Sequence, residues 1–93
     1  MSRVSQPAVL LILNNEDIEG LLATGAPADE YETEAEMIAQ LVDRLAEHEV
    51  SLDRVTGIVA GVCGRMFGPF DEDELHRRRP GYRRVARQIV EGR

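Results

Sequence analysis

Apolar positions recur at helical spacing along most of the chain, and four amphipathic segments stand out. The first is the run Pro7–Leu13. Ser5 or Gln6 is placed to cap it, with Pro7 in the first turn, where its missing N–H costs nothing. Its continuous apolar stretch from Ala8 to Leu13 also fits a buried strand. The helix is preferred because no other segment offers a strand partner. A turn at Asn14–Asp17, an irregular stretch at Ile18–Leu22 and a loop at Gly25-Ala26-Pro27 follow.

In the second segment Ile38, Leu41, Val42 and Leu45 keep the helical period. Thr33 stands three residues before Glu36, which is capping-box spacing and predicts Thr33 as the N-cap. The third segment opens on Ser51, a good N-cap, with Val50 and Val55 at the hydrophobic-staple positions. Leu52, Val55, Ile58, Val59, Val62, Met66 and Phe67 form its apolar stripe. Gly68-Pro69 is expected to end it, with glycine in the left-handed conformation. Asp71 and Glu74 then repeat the capping box, and Phe70 and Leu75 the staple. Asp73–Arg77 and Glu74–Arg78 have the i,i+4 spacing of helical ion pairs. Pro80 is expected to break this short segment. A last helix should turn Tyr82, Val85, Ala86, Ile89 and Val90 inward and Arg83, Arg84 and Arg87 largely outward.

The pattern predicts an all-α fold, a small bundle of three longer helices plus one short helical turn, in a single domain spanning residues 1–93. A chain of 93 residues buries one modest core. Aromatic content of 4% and the absence of Trp point to an aliphatic one. The single cysteine, Cys63, permits no internal disulfide and no CxxC metal or redox pair, so a reducing, cytoplasmic setting is expected. The first apolar run is too short to span a bilayer, and no membrane partner is expected.

Charge is unevenly spread beneath a net −6. Residues 1–53 hold 12 acids and 2 arginines, whereas residues 54–93 hold 5 acids and 9 arginines. Asp29, Glu30, Glu32, Glu34 and Glu36 crowd the start of the second segment, where the helix dipole favours negative charge. Calcium-loop spacing with its glycine turn is absent, so the cluster reads as cap and surface and no metal or cofactor is assigned.

Catalytic signatures are missing: no GxGxxG, P-loop, HExxH or GxSxG occurs. Cys63 sits in an apolar segment and reads as a small buried hydrophobe, and His48 and His76 read as solvated surface, His48 at the end of the second helix. Two patterns stand out more sharply. Arg77, Arg78, Arg79, Arg83, Arg84 and Arg87, with Tyr82 available to stack on a base, form the best nucleic-acid candidate. The alternative is that they neutralise the acidic half of the same protein. Gly57, Gly61 and Gly64 fall on one helical face, where each costs about 0.5–1 kcal/mol relative to alanine. Close packing of another helix would offset that cost, whether the N-terminal segment, the last helix or a second copy.

The stretch "LNNEDIEGLLATGAPADEYETEAEMI" resembles the N-terminal signature of the YugE-like family of small bacterial helical proteins of unknown function. Asp17, Gly20, Leu21 and Leu22 match one element of that pattern, and Gly25, Ala26, Pro27, Asp29, Glu30 and Tyr31 match the next. Glu16 and Ile18 depart from it, standing where Trp and Pro are usual. The resemblance covers residues 13–42, implies a helical bundle and carries no activity. In the recurring loop, Pro27 would fix the turn, Asp29 would bond nearby backbone N–H groups and Tyr31 would close the bundle. The functional expectation is a non-enzymatic protein–protein interaction module, an adaptor or an immunity- or antitoxin-like protein whose acidic face meets a basic partner; a homodimer is compatible with it. Asp17, Asp29, Glu30, Tyr31, Gly57, Gly61 and Gly64 are the candidate contact or packing residues. The alternatives are an RNA- or DNA-binding protein using the C-terminal arginines and a small enzyme using Asp17, Asp29 and Glu30.

Overall fold

Four helices account for most of the computed structural model, which describes residues 4–17, 25 and 31–92. They are α1 (Gln6–Glu16), α2 (Glu32–Asp43), α3 (Leu52–Phe67) and α4 (Glu72–Glu91), with a 3-10 turn at Glu47–Glu49 between α2 and α3. The architecture is all-α, with no strand among the described residues. The run of ambiguous period at residues 8–13 is helix. Ser5 caps it as expected, its hydroxyl accepting from the Ala8 N–H at 3.3 Å. No helix among the described residues is long and apolar enough to cross a membrane.

Each helix packs on the next, and α4 returns to α1, closing a ring around the core. α1 contributes Val9 and Leu13, α2 Ala35, Ile38, Ala39 and Val42, α3 Val55, Val59, Val62 and Cys63, and α4 Val85, Ala86 and Ile89. Burying one Val, Leu or Ile side chain fully stabilises a fold by about 1.5–3 kcal/mol. The core is not purely aliphatic, because both tyrosines are its largest fully buried side chains. Tyr31 also packs edge-on against Phe67, with ring centroids 6.3 Å apart.

Four local expectations give way to tertiary constraints. α2 begins at Glu32 rather than after Thr33. Tyr31 occupies the N-cap position without a side-chain cap bond, and its carbonyl accepts from the Ala35 N–H at 2.9 Å. Burial of the Tyr31 ring fixes where the helix can start, so Thr33 lies inside the first turn. At the other end α2 stops at Asp43, which places His48 in the 3-10 turn and not at the end of α2.

Pro80 does not break the chain either. α4 runs through it as one 20-residue helix, merging the expected short turn with the last helix. An interior proline removes one backbone bond and costs about 3 kcal/mol. The buried face of Tyr82, Val85, Ala86 and Ile89 after it, and the Asp71 cap before it, hold the helix on both sides. Asp71 Oδ1 accepts from the Glu74 N–H at 2.8 Å.

Ser51 caps α3 as its sequence predicts, its Oγ accepting from the Arg54 N–H at 3.1 Å. The helix does end at Gly68, but with φ −91°, outside the left-handed region. Space, not φ, makes glycine suitable there. A Cβ on Gly68 would stand 2.5 Å from the Gly64 carbonyl oxygen. Gly25, by contrast, has φ +97°, the conformation that glycine adopts at little cost.

Candidate functional site

The arginines of α4 are largely engaged by carboxylates of the same chain. Arg78 Nε donates to Glu74 Oε1 at 2.7 Å, and Arg77 pairs with the other Glu74 oxygen. Arg77 was expected to pair with Asp73; the three-residue spacing to Glu74 wins instead. Arg83 reaches Asp53 on α3 at 3.1 Å. Arg84 reaches Glu16 at the end of α1 at 2.9 Å, and Gln88 donates to the second Glu16 oxygen at 2.9 Å. The two guanidinium groups hold the Glu74 carboxyl below its usual range, Arg78 contributing most. Arg78 also lies 4.0 Å above the Phe70 ring centroid. Arg79 and Arg87 are exposed and have no ion pair among the described residues.

This arrangement resembles internal neutralisation more than an open basic patch. Tyr82, the aromatic expected to be available for stacking, is 1% exposed. It belongs to the core and has no face to offer a base, which removes the aromatic half of the nucleic-acid constellation.

A cleft of about 350 Å³ opens where the end of α1 meets the middle of α4. Glu16, Asp17, Arg77, Arg78, Gly81 and Arg84 line it, together with Pro80. Asp17 has φ +43° and accepts from the Tyr31 hydroxyl at 2.8 Å. Asp29 and Glu30, the other members of the acidic candidate set, lie outside the described residues, as do residues 26–28. Asp17 itself is a positioning group that ties two helices. Cys63 is fully buried while His48 and His76 are exposed, so no thiol–imidazole pair is presented. Among the described residues no group of three or more His, Cys, Asp and Glu side chains is arranged to hold a metal ion.

Two carboxylates have roles that their sequence context did not signal. Asp43 accepts from the Val4 N–H at 2.9 Å, which holds the chain ahead of α1 against the end of α2. Glu34, one of the acids read as surface, is 4% exposed, and its Oε2 has no hydrogen-bond partner among the described residues. A run of five acids hides which one turns inward; the spacing of Glu34 to Ile38, on the buried side of α2, is the only signal that was available.

The glycines of α3 face away from the core. α3 buries Val55, Thr56, Val59, Val62 and Cys63, whereas Gly57 and Gly61 are exposed and Gly64 is half-buried. A Cβ built on any of the three meets nothing within 4 Å. Neither α1 nor α4 packs closely on these glycines, and no described element covers Gly57 and Gly61. A shallow groove of about 220 Å³ runs over it, bordered by Leu41, Ile58, Val62 and Arg65. Leu41 is 37% exposed, an apolar wall on α2 beside a floor without side chains.

Comparisons with protein-family models, with curated proteins and with solved structures return no match for this chain.

Proposed function

We propose that this protein is a non-enzymatic interaction module, and that the outward face of α3 receives a helix of its protein partner. The observation that carries the reading is the open glycine floor at Gly57 and Gly61 beside the exposed wall of Leu41 and the half-buried Ile58. Two exposed interior glycines cost helix stability that no close packing among the described residues offsets. A helix lying in the groove would find backbone within close reach and two apolar walls to cover. Asp53, Arg54 and Arg65 flank the groove, so its rim is of mixed charge and does not call for a basic partner. The alternative of nucleic-acid binding would have to rely on Arg79 and Arg87, since the other four candidate arginines already face carboxylates.

Site-specific photo-cross-linking tests this reading. A photoreactive residue at Arg54, in the full chain inside its native cells, should give a discrete protein adduct. Gly61→Leu should abolish that adduct, and the same reactive residue at the exposed Glu36 on α2 should not produce it. Adducts that survive Gly61→Leu, or none at all, would overturn the assignment of this face.

A further inference from the structure

The ridge that contains the two exposed glycines carries opposite charges at its ends. Asp53, Gly57, Gly61 and Arg65 are spaced by four residues, form one row along α3, and are all exposed. From this we infer that the partner helix is α3 of a second copy of the chain, crossing in the antiparallel sense about a two-fold axis. The inference rests on the preceding assignment of the α3 face as a docking surface.

The charge pattern selects both the occupant and its direction. In a two-fold contact the same patch meets itself, so every pairing occurs twice. With the helices antiparallel and the axis midway between Gly57 and Gly61 on the outer face, Gly57 of one copy faces Gly61 of the other. Asp53 then faces Arg65, and Arg54 lies over Gly64, where no Cβ obstructs it. A parallel crossing would instead set Asp53 against Asp53 and Arg65 against Arg65, and like charges brought together oppose association. The ends are suited to the pairing. Asp53 is 83% exposed at its side chain and gives one oxygen to Arg83, leaving acceptor capacity for a second guanidinium. Arg65 is exposed and makes no ion pair among the described residues. Between them the absent side chains leave a notch rather than a ridge, which lets two helix backbones approach. One helix crossing is a small contact, so the dimer belongs with weak, reversible interfaces.

Charge reversal in trans tests this directly. Sedimentation of the full chain from about micromolar to millimolar protein, the range of weak interfaces, should show a reversible monomer–dimer equilibrium. Asp53→Arg and Arg65→Asp should each weaken self-association by about tenfold or more. An equimolar mixture of the two variants should recover most of it, because each mixed pair joins opposite charges. Circular dichroism of each variant separates lost association from lost folding. Gly57→Leu provides a second route, since it adds bulk where the monomer has open space; it should abolish the dimer and leave the helical signal intact. A chain that stays monomeric throughout, or a mixture no better than either variant alone, would overturn the two-fold contact. If in that case the Arg54 adduct is a different protein and is lost with Gly61→Leu, the docking face stands and only its occupant was wrong. If no such adduct forms, both fail.

Discussion

The Tyr31 hydroxyl donates to Asp17 Oδ1 at 2.8 Å, joining the residue that ends α1 to the residue that begins α2. The ring beneath it is fully buried and rests edge-on against Phe67 at the end of α3. One side chain therefore sets the relation of three helices. A hydrogen bond to a charged group contributes about 1.5–3 kcal/mol. Tyr31→Phe keeps the packing and removes that bond, so it should lower stability in urea by an amount in this range. The double variant Tyr31→Phe/Asp17→Ala should lose clearly less than the sum of the two single losses, since each substitution removes the same contact.

The helix starts make a second set of expectations. Ser51→Ala and Asp71→Ala remove side-chain caps that the Arg54 and Glu74 N–H groups use, and each should cost about 0.5–2 kcal/mol. Thr33→Ala should be nearly neutral, because Thr33 lies within the first turn and alanine is a better helix former. A cap-sized loss at Thr33 in the same urea melts would mean that α2 starts two residues later in solution.

Gly61 on α3 and Gly68 at its C-cap should respond with opposite signs. At Gly61 a methyl group meets open space, so Gly61→Ala should stabilise the monomer by up to about 1 kcal/mol, measured at dilute protein concentration. At Gly68 the same methyl meets the Gly64 carbonyl oxygen at 2.5 Å, and overpacking of this kind costs about 1–3 kcal/mol. Thermal melts of the two variants under identical conditions decide the matter.

Pro80 lies inside a continuous α4 and leaves the His76 carbonyl without its usual helical donor. Pro80→Ala restores the N–H and should raise stability by up to about 3 kcal/mol. No gain in the melt would argue that the segments before and after Pro80 are separate helices in solution, as the sequence pattern suggests.

Acid should act through Glu74. Its pKa is depressed in the folded protein by Arg78 and Arg77 relative to the ordinary 4.5. A carboxyl with a depressed folded pKa contributes stability that is present above its unfolded pKa and is lost as pH falls through the folded value. The contribution should thus be intact at neutral pH and fade below about 4.5. Glu74→Gln should flatten that part of the acid limb, seen as a smaller difference in melting temperature between neutral and acidic buffer. An unchanged slope would show that the two ion pairs do not persist in solution.

The apolar period by itself determined that the second, third and last segments are helical, whereas residues 8–13 fitted helix or strand and the structure decided for helix. The period also determined where α3 runs, and cap chemistry determined that Ser51 and Asp71 open helices. These depend on neighbours within one turn, and local chemistry suffices to specify them. Tertiary structure alone decided the rest. Thr33 offered a sound local cap, yet burial of Tyr31 and its bond to Asp17 moved the start of α2. Pro80 offered a sound local stop, yet core contacts from Tyr82 onward held α4 in one piece. The arginines of α4 formed a basic run in the sequence, but Glu16 and Asp53, distant in the chain, lie across from Arg84 and Arg83 in the fold. The stripe of Gly57, Gly61 and Gly64 was legible as a stripe. Only the packing of α2 and α4 against the other side of α3 decided that it faces outward. A helix period gives the angle between residues, and the core they join fixes which way that angle points.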